Sequence, residues 1–213
     1  MYYQKAHLVF ICEKNQICSK IIHYFKFKNK KMTTHLQTPR LILRQWNDSD
    51  TAPFIQMCAD EDVMRYFPAP LTSKQSLQFI EKVTRQINQY GWGLWAVELK
   101  QTKEFIGFIG LQPQPELFEF SPCIEIGWRL AKKYWHQGYA TEGARAVLDY
   151  AFTTLGLDKV VSFTATVNTP SEAVMKKIGM VKTQEFQHPR LPKDHPLCWH
   201  VLYEINQSNY SSK

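Results

Sequence analysis

Tyr134-Trp-His-Gln-Gly-Tyr-Ala-Thr-Glu142, with Ile124-Glu-Ile-Gly-Trp-Arg-Leu130 before it and an amphipathic stretch from Ala144 to Phe152 after it, decides the fold. The first flank reads as a strand, the second as a helix. Between them lies a turn carrying Gly138 and the small Ala140. The first turn of a helix has unpaired N–H groups and the positive end of the helix dipole. Small residues allow an anion to approach that backbone. No Lys follows as in a P-loop and there is no G-x-G-x-x-G, so the turn predicts a phosphate site outside the common nucleotide fingerprints.

Working outward, Leu41 to Trp46 reads as a strand, and Asn47-Asp-Ser-Asp50 as a turn and N-cap leading a helix to about Ala59. Thr72 and Gln75 have capping-box spacing. They open a helix predicted to place Leu77, Ile80, Val83 and Ile87 on one face and to stop before Gly91. Gly93 to Leu99 and Glu104 to Leu111 read as a hairpin around a polar link. Gln112 to Pro122 reads as a Pro-rich loop, and Cys123 to Leu130 as a strand. Lys159 to Thr166 is a further strand, Pro170 to Ile178 a short helix stopped by Gly179, and Trp199 to Ile205 a last strand. This order implies an α/β (α+β) domain: a mixed, mostly antiparallel sheet of about six to seven strands with helices on both faces.

The chain has 213 residues, 44% hydrophobic and 14% aromatic, enough for one domain with a substantial core. Its charge of +7 is unevenly placed. The first 31 residues hold seven Lys and one acid, Glu13, whereas the other 182 hold 19 basic and 18 acidic residues. The body is near neutral, so the net charge does not argue for a nucleic-acid partner. Residues 1–32 read as a basic extension, with Met32 a candidate start. Residues 33–206 read as the domain and 207–213 as a polar tail. Cys12, Cys18, Cys58, Cys123 and Cys198 are scattered, without disulfide or zinc spacing. No apolar run approaches the roughly 20 residues that span a bilayer. A cytoplasmic protein without metal or membrane contact, a monomer or homodimer, is expected.

Four motifs in order carry a resemblance: Glu125-Ile-Gly-Trp-Arg-Leu130, Trp135-His-Gln-Gly-Tyr-Ala-Thr-Glu142, Asn168 with Ser171, and Lys177-Ile-Gly-Met180. Together, over about residues 36–205, they resemble the GCN5-related N-acetyltransferases (GNAT). Thr38-Pro-Arg-Leu-Ile-Leu-Arg44 is similar to the opening of the RimJ/RimL-type branch. The resemblance implies a single GNAT-like domain that transfers an acetyl group from acetyl-CoA to an amine. It implies that the CoA pyrophosphate rests on His136, Gln137, Gly138, Tyr139, Ala140 and Thr141. Backbone at Ile126, Trp128 and Leu130 would pair with the pantetheine, Asn168 would bond that arm, Ser171 would lie near the sulfur, and Lys177 would contact the donor. Many relatives have a Tyr seven residues after the Asn to protonate the leaving thiolate. Here that position is Met175, which leaves Ser171 or a water for the task.

Proximity supplies much of the rate when amine meets thioester, but the amine must be neutral. An α-amine with pKa about 8 is partly so at pH 7, a Lys near 10.4 is not. A base is therefore expected, from Glu125, His188, His195, His200 or Glu185. Glu125, on the opposite side of its strand from Ile124 and Ile126, and His200, on the last strand, are the first to test. Surface roles for Glu125 and the loop histidines remain the alternatives. Glu142 suits the helix dipole and reads as structural. Arg65-Tyr-Phe67 reads as an acceptor-side rim. The other functional classes are a non-catalytic acyl-CoA-binding or regulatory module and a nucleic-acid protein acting through its tail.

Overall fold

The computed structural model describes residues 35–210. The elements in order are β1 (Leu36–Gln37), β2 (Leu41–Arg44), α1 (Thr51–Ala59), α2 (Glu61–Met64), α3 (Ser73–Tyr90), β3 (Leu94–Leu99), β4 (Phe105–Gln114), β5 (Cys123–Leu130), α4 (Tyr139–Asp149), β6 (Lys159–Ala165), α5 (Thr169–Lys177), β7 (Val181–Gln187) and β8 (Trp199–Asn206). They build one eight-stranded sheet in the order β1-β2-β3-β4-β5-β6-β8-β7, in which only β5 and β6 run parallel. The basic extension lies outside the described residues.

Helices cover both faces. On one, Phe54 of α1 and Phe79 of α3 stack at 5.2 Å, and Phe79 meets Phe108 of β4 at 5.2 Å. Trp46 completes the cluster, donating its Nε1–H to the Leu94 carbonyl at 2.8 Å. The neighbouring Ile109 points to the opposite face, where a side chain at Gly143 of α4 would meet it at 2.5 Å. α4 thus packs close on the sheet because it has no Cβ there. The buried Asp50 takes two hydrogen bonds from Arg44, whose Nε–H goes to Glu98, and this pins the α1 start to β2 and β3.

α3 begins with the expected capping box, Thr72 with Gln75, and ends at Gly91 in the left-handed region. Its buried row is Ser76, Val83 and Ile87, and Leu77 is exposed rather than buried, because it sits one position off that row. The loop expected from Gln112 is still β4 through Gln114, pairing Pro113 with Ile124. Two strands went unforeseen. β1 has two residues, and β7 is an edge strand exposed almost throughout. Together they raise the expected six or seven strands to eight. Within the stretch read as the polar tail, Gln207 to Asn209 are exposed, but Tyr210 folds back: it donates to Asp149 at 2.8 Å, and its ring lies 5.0 Å from that of Phe152.

Candidate active site

β5 and β6 are joined by one residue pair, Glu125 with Val161. Just beyond it the buried Ser162 hydroxyl donates to the Ile126 carbonyl at 2.9 Å. After that the strands part. The Ala131 N–H donates to the Ile106 carbonyl of β4, so alternation turns the backbone groups of Ile126, Trp128 and Leu130 towards β6. Trp135 Nε1–H takes the Leu130 carbonyl at 2.7 Å. The Trp128 amide and the Leu130 N–H thus face a wedge between two strands, an edge that an extended ligand can join.

The start of α4 lies on one side of the sheet. His136 (φ 60°) and Gly138 (φ 80°) both adopt the left-handed region, and no side chain caps the helix. The N–H groups of Tyr139, Ala140 and Thr141 precede the first intrahelical bond, which runs from Glu142 N–H to the Gly138 carbonyl. A strut from the N-terminal segment fixes this turn. Glu142 accepts from the Thr38 hydroxyl (2.6 Å), the Arg40 N–H (2.9 Å) and the Arg40 Nε–H (2.6 Å). Arg40 also donates to the Gln137 carbonyl and lies over the Tyr139 ring. Burial works against the charge of Glu142, but these hydrogen bonds outweigh it and hold its pKa below the usual value. Its role is structural, as its place in the first turn suggested.

Asn168 and Ser171 share this side of the sheet. The Asn168 side-chain Oδ1 caps α5 by accepting from the Ser171 N–H, and its side-chain amide donates to Thr164 Oγ1 at 2.8 Å. One amide N–H is left for a ligand. Met175 is buried, so no proton source stands there. Lys177 is at the far end of α5, exposed, and its carbonyl accepts from Arg145 of α4. Tyr203 pairs with Ser162 and donates to Glu172, and so faces away from His200 rather than beside it.

The opposite side holds a cavity of about 510 Å³. Its wall includes Lys82, Arg85, Gln86 and Tyr90 of α3, Gln112 and Gln114 of β4, Glu125 of β5, Phe118, Phe163, His188 and Arg190. Glu125 accepts from Gln114 Nε2–H at 2.5 Å. Burial pushes its pKa up to about 7, against the pull of Gln114 and Lys82. A carboxylate there can take a proton near neutral pH. His188 lies 4.9 Å from the His200 ring, and both pack in a cluster with Phe118, Phe163 and Phe186. Burial lowers the pKa of both, that of His188 to about 4 with further help from His200 and Arg190. Both shifts favour the neutral ring.

Next to Glu125, Gly127 leaves a bare strip on β5, with nothing within 4 Å of where a Cβ would stand. Arg129 follows, under the Phe67 ring at 4.0 Å, with one N–H on Cys58 Sγ. Phe67 thereby belongs to this side, while Arg65 pairs with Asp62. Of the proposed bases, Glu125 and His188 reach the cavity and His200 backs His188. Glu185 is held by Lys182 on exposed β7, and His195 accepts a local bond from Leu197 N–H. Sequence reasoning missed Gln114 and the cavity cations Lys82, Arg85 and Arg190, none of which belongs to a motif.

Known proteins agree with this architecture. The acetyltransferase (GNAT) domain model matches residues 40–181. An uncharacterized protein of Bacillus subtilis, YkkB, is 37% identical over 148 residues, 69% of this chain and 85% of its own. The FsC-acetyl coenzyme A-N(2)-transacetylase of Aspergillus fumigatus is 32% identical over 159 residues, 71% of this chain and 66% of its own. Among solved structures, a GNAT-family acetyltransferase from Bacillus anthracis superposes with a TM-score of 0.69 at 26% identity, covering 82% of this chain and 99% of that one.

Proposed function

This chain belongs to the acetyltransferase (GNAT) family and is an acetyl-CoA-dependent N-acetyltransferase; from that premise we propose that it acetylates a primary amine, a protein N-terminal α-amine or a small-molecule amine, by direct attack in a ternary complex. The observation that carries this reading is the wedge between β5 and β6, with an uncapped helix start on one face of the sheet and, at the joined end, a raised-pKa carboxylate on the other.

In this reading the pyrophosphate lies on the backbone of Gln137 to Thr141, beside His136, where N–H groups and the helix dipole meet its charge. The pantetheine joins the backbone of Trp128 and Leu130 as an added strand, just beyond the Ile126 carbonyl that Ser162 already holds, and Asn168 offers its remaining amide N–H. Lys177 is a cation for the donor's outer phosphate. The acceptor enters from the cavity and crosses the bare strip at Gly127. Glu125, directly or through a water, takes a proton from the ammonium. The amine nitrogen then attacks the thioester carbonyl, and a β5 N–H meets the developing oxyanion. The carbon–sulfur bond breaks, the thiolate takes a proton from Ser171 or a water, and the second proton lost by the nitrogen as the amide forms restores that donor. His200 keeps His188 in place and neutral beside the acceptor.

Kinship with the RimJ/RimL-type branch rests on the Thr38 to Arg44 opening, and it favours an N-terminal α-amine. A thiol-release screen with acetyl-CoA against peptides, amino acids, polyamines and aminoglycosides tests the function. Release with at least one amine, with N-acetyl product by mass, is the expected result. No release across the panel, with acetyl-CoA still bound, would overturn it.

A further inference from the structure

The cavity is charged in a way that the reaction does not require. Lys82 and Arg85 come from α3 and Arg190 from the β7–β8 connection, while among the described residues Glu125 is the sole carboxylate in the wall. This is not a reflection of the whole protein, whose residues 32–213 hold 19 basic and 18 acidic side chains. Locally it is offset only in part, by Glu81 beside Arg85 and by Glu125 acting on Lys82. Arg85 has an exposed i,i+4 partner in Glu81, but among the described residues Lys82 and Arg190 have no ion pair. The same wall carries the aromatic rings of Phe118 and Phe163 among its polar side chains. Cations gathered around a concave site raise the local concentration of anions and repel cations.

We propose, resting on the acetyl-transfer reading above, that the acceptor is an anionic amine: a molecule carrying a carboxylate or phosphate group near its amine, with the anion held by Lys82, Arg85 and Arg190. The amine is then directed to the carboxylate of Glu125, and the apolar part of the acceptor lies on Phe118 and Phe163. Polyamines meet three like charges and are poor acceptors. The same cations favour the neutral form of an incoming amine, which is the form that attacks.

The test is a set of thiol-release measurements with acceptors matched except in charge. One arm uses short peptides with a common first residue followed by two acidic, two neutral or two basic side chains. The other compares an acidic amino acid with its uncharged amide and with a polyamine. A preference for the acidic member of about tenfold or more in kcat/KM is expected, shrinking as ionic strength rises. The double variant Lys82→Glu, Arg190→Glu should lower kcat/KM for acidic acceptors by about tenfold or more and raise it for basic ones, chiefly through acceptor KM. An unchanged KM for acetyl-CoA shows the donor side intact. Preference in the peptide arm alone identifies a peptide source, and in the amino-acid arm a small molecule; either supports the proposal. Equal or better use of basic acceptors, or a preference unmoved by charge reversal, overturns it while leaving the acetyl-transfer reading in place. No thiol release from any acceptor overturns both.

Discussion

The Ser162 hydroxyl donates to the Ile126 carbonyl at 2.9 Å, at the point where β5 and β6 stop pairing. It closes the narrow end of the wedge. Both groups are buried, so removing the donor strands a carbonyl away from water. Ser162→Ala is expected to cost about 1–3 kcal/mol in stability and to raise the KM for acetyl-CoA. Denaturant unfolding and steady-state kinetics check this. An unchanged midpoint with an unchanged KM would remove the bond from any part in holding the wedge.

Glu125 predicts both a pH–rate limb and a stability trend. With a pKa near 7, kcat/KM should fall as pH drops below neutrality and the base is protonated. Glu125→Gln should lose about 100-fold or more in kcat and flatten that limb. The stability sign is the reverse of an ordinary carboxylate. The folded pKa lies above the unfolded one, so the folded state holds the proton more tightly between about pH 4.5 and 7. Stability therefore declines as pH rises through that window, and Glu125→Gln should reduce the decline. A wild-type rate profile with no acidic limb would dismiss Glu125 as the base.

Gly138 separates backbone strain from lost anion binding. Its φ of 80° strains any L side chain, and a Cβ there would approach Arg40 to 3.5 Å. Gly138→Ala reports that strain alone, about 1–2 kcal/mol. Gly138→Glu adds bulk and negative charge at the helix start. Calorimetric titration should show Glu weakening CoA about tenfold or more beyond Ala. Equal affinity in the two variants would move the pyrophosphate elsewhere.

The strut at Glu142 should be felt in acid. Its folded pKa is depressed, so its contribution is present at neutral pH and is lost as pH falls through the folded value. Glu142→Gln should lower the unfolding temperature at pH 7 and lessen the further drop in acid. Acetyl-CoA KM should rise as well, because Arg40 then holds the Gln137 turn less firmly. A variant matching the wild type in both measurements would show that the strut is dispensable.

Much of the donor side was legible because local rules govern it. Gly138 and Ala140 mark the turn, Thr72 and Gln75 write out the α3 start, and the Cys123 to Leu130 run states its own strand. β7 was hidden because an exposed edge strand needs no apolar alternation, and Val181 to Gln187 shows none. The acceptor side was hidden for a different reason. Lys82 and Arg190 stand more than 100 residues apart, each reads as an ordinary surface cation, and only the folded chain brings them around Glu125.

The parting of β5 from β6 places the helix start and the cavity on opposite faces of one sheet. Under the proposed assignments, donor and acceptor use separate doorways into a chamber one strand thick. Traffic through one does not obstruct the other, so the acetylated product can depart while CoA is still seated, and either substrate can arrive first. Crowding by a bulky acceptor at one door leaves reloading at the other untouched, which gives the acceptor entrance freedom to diversify without remodelling the donor entrance.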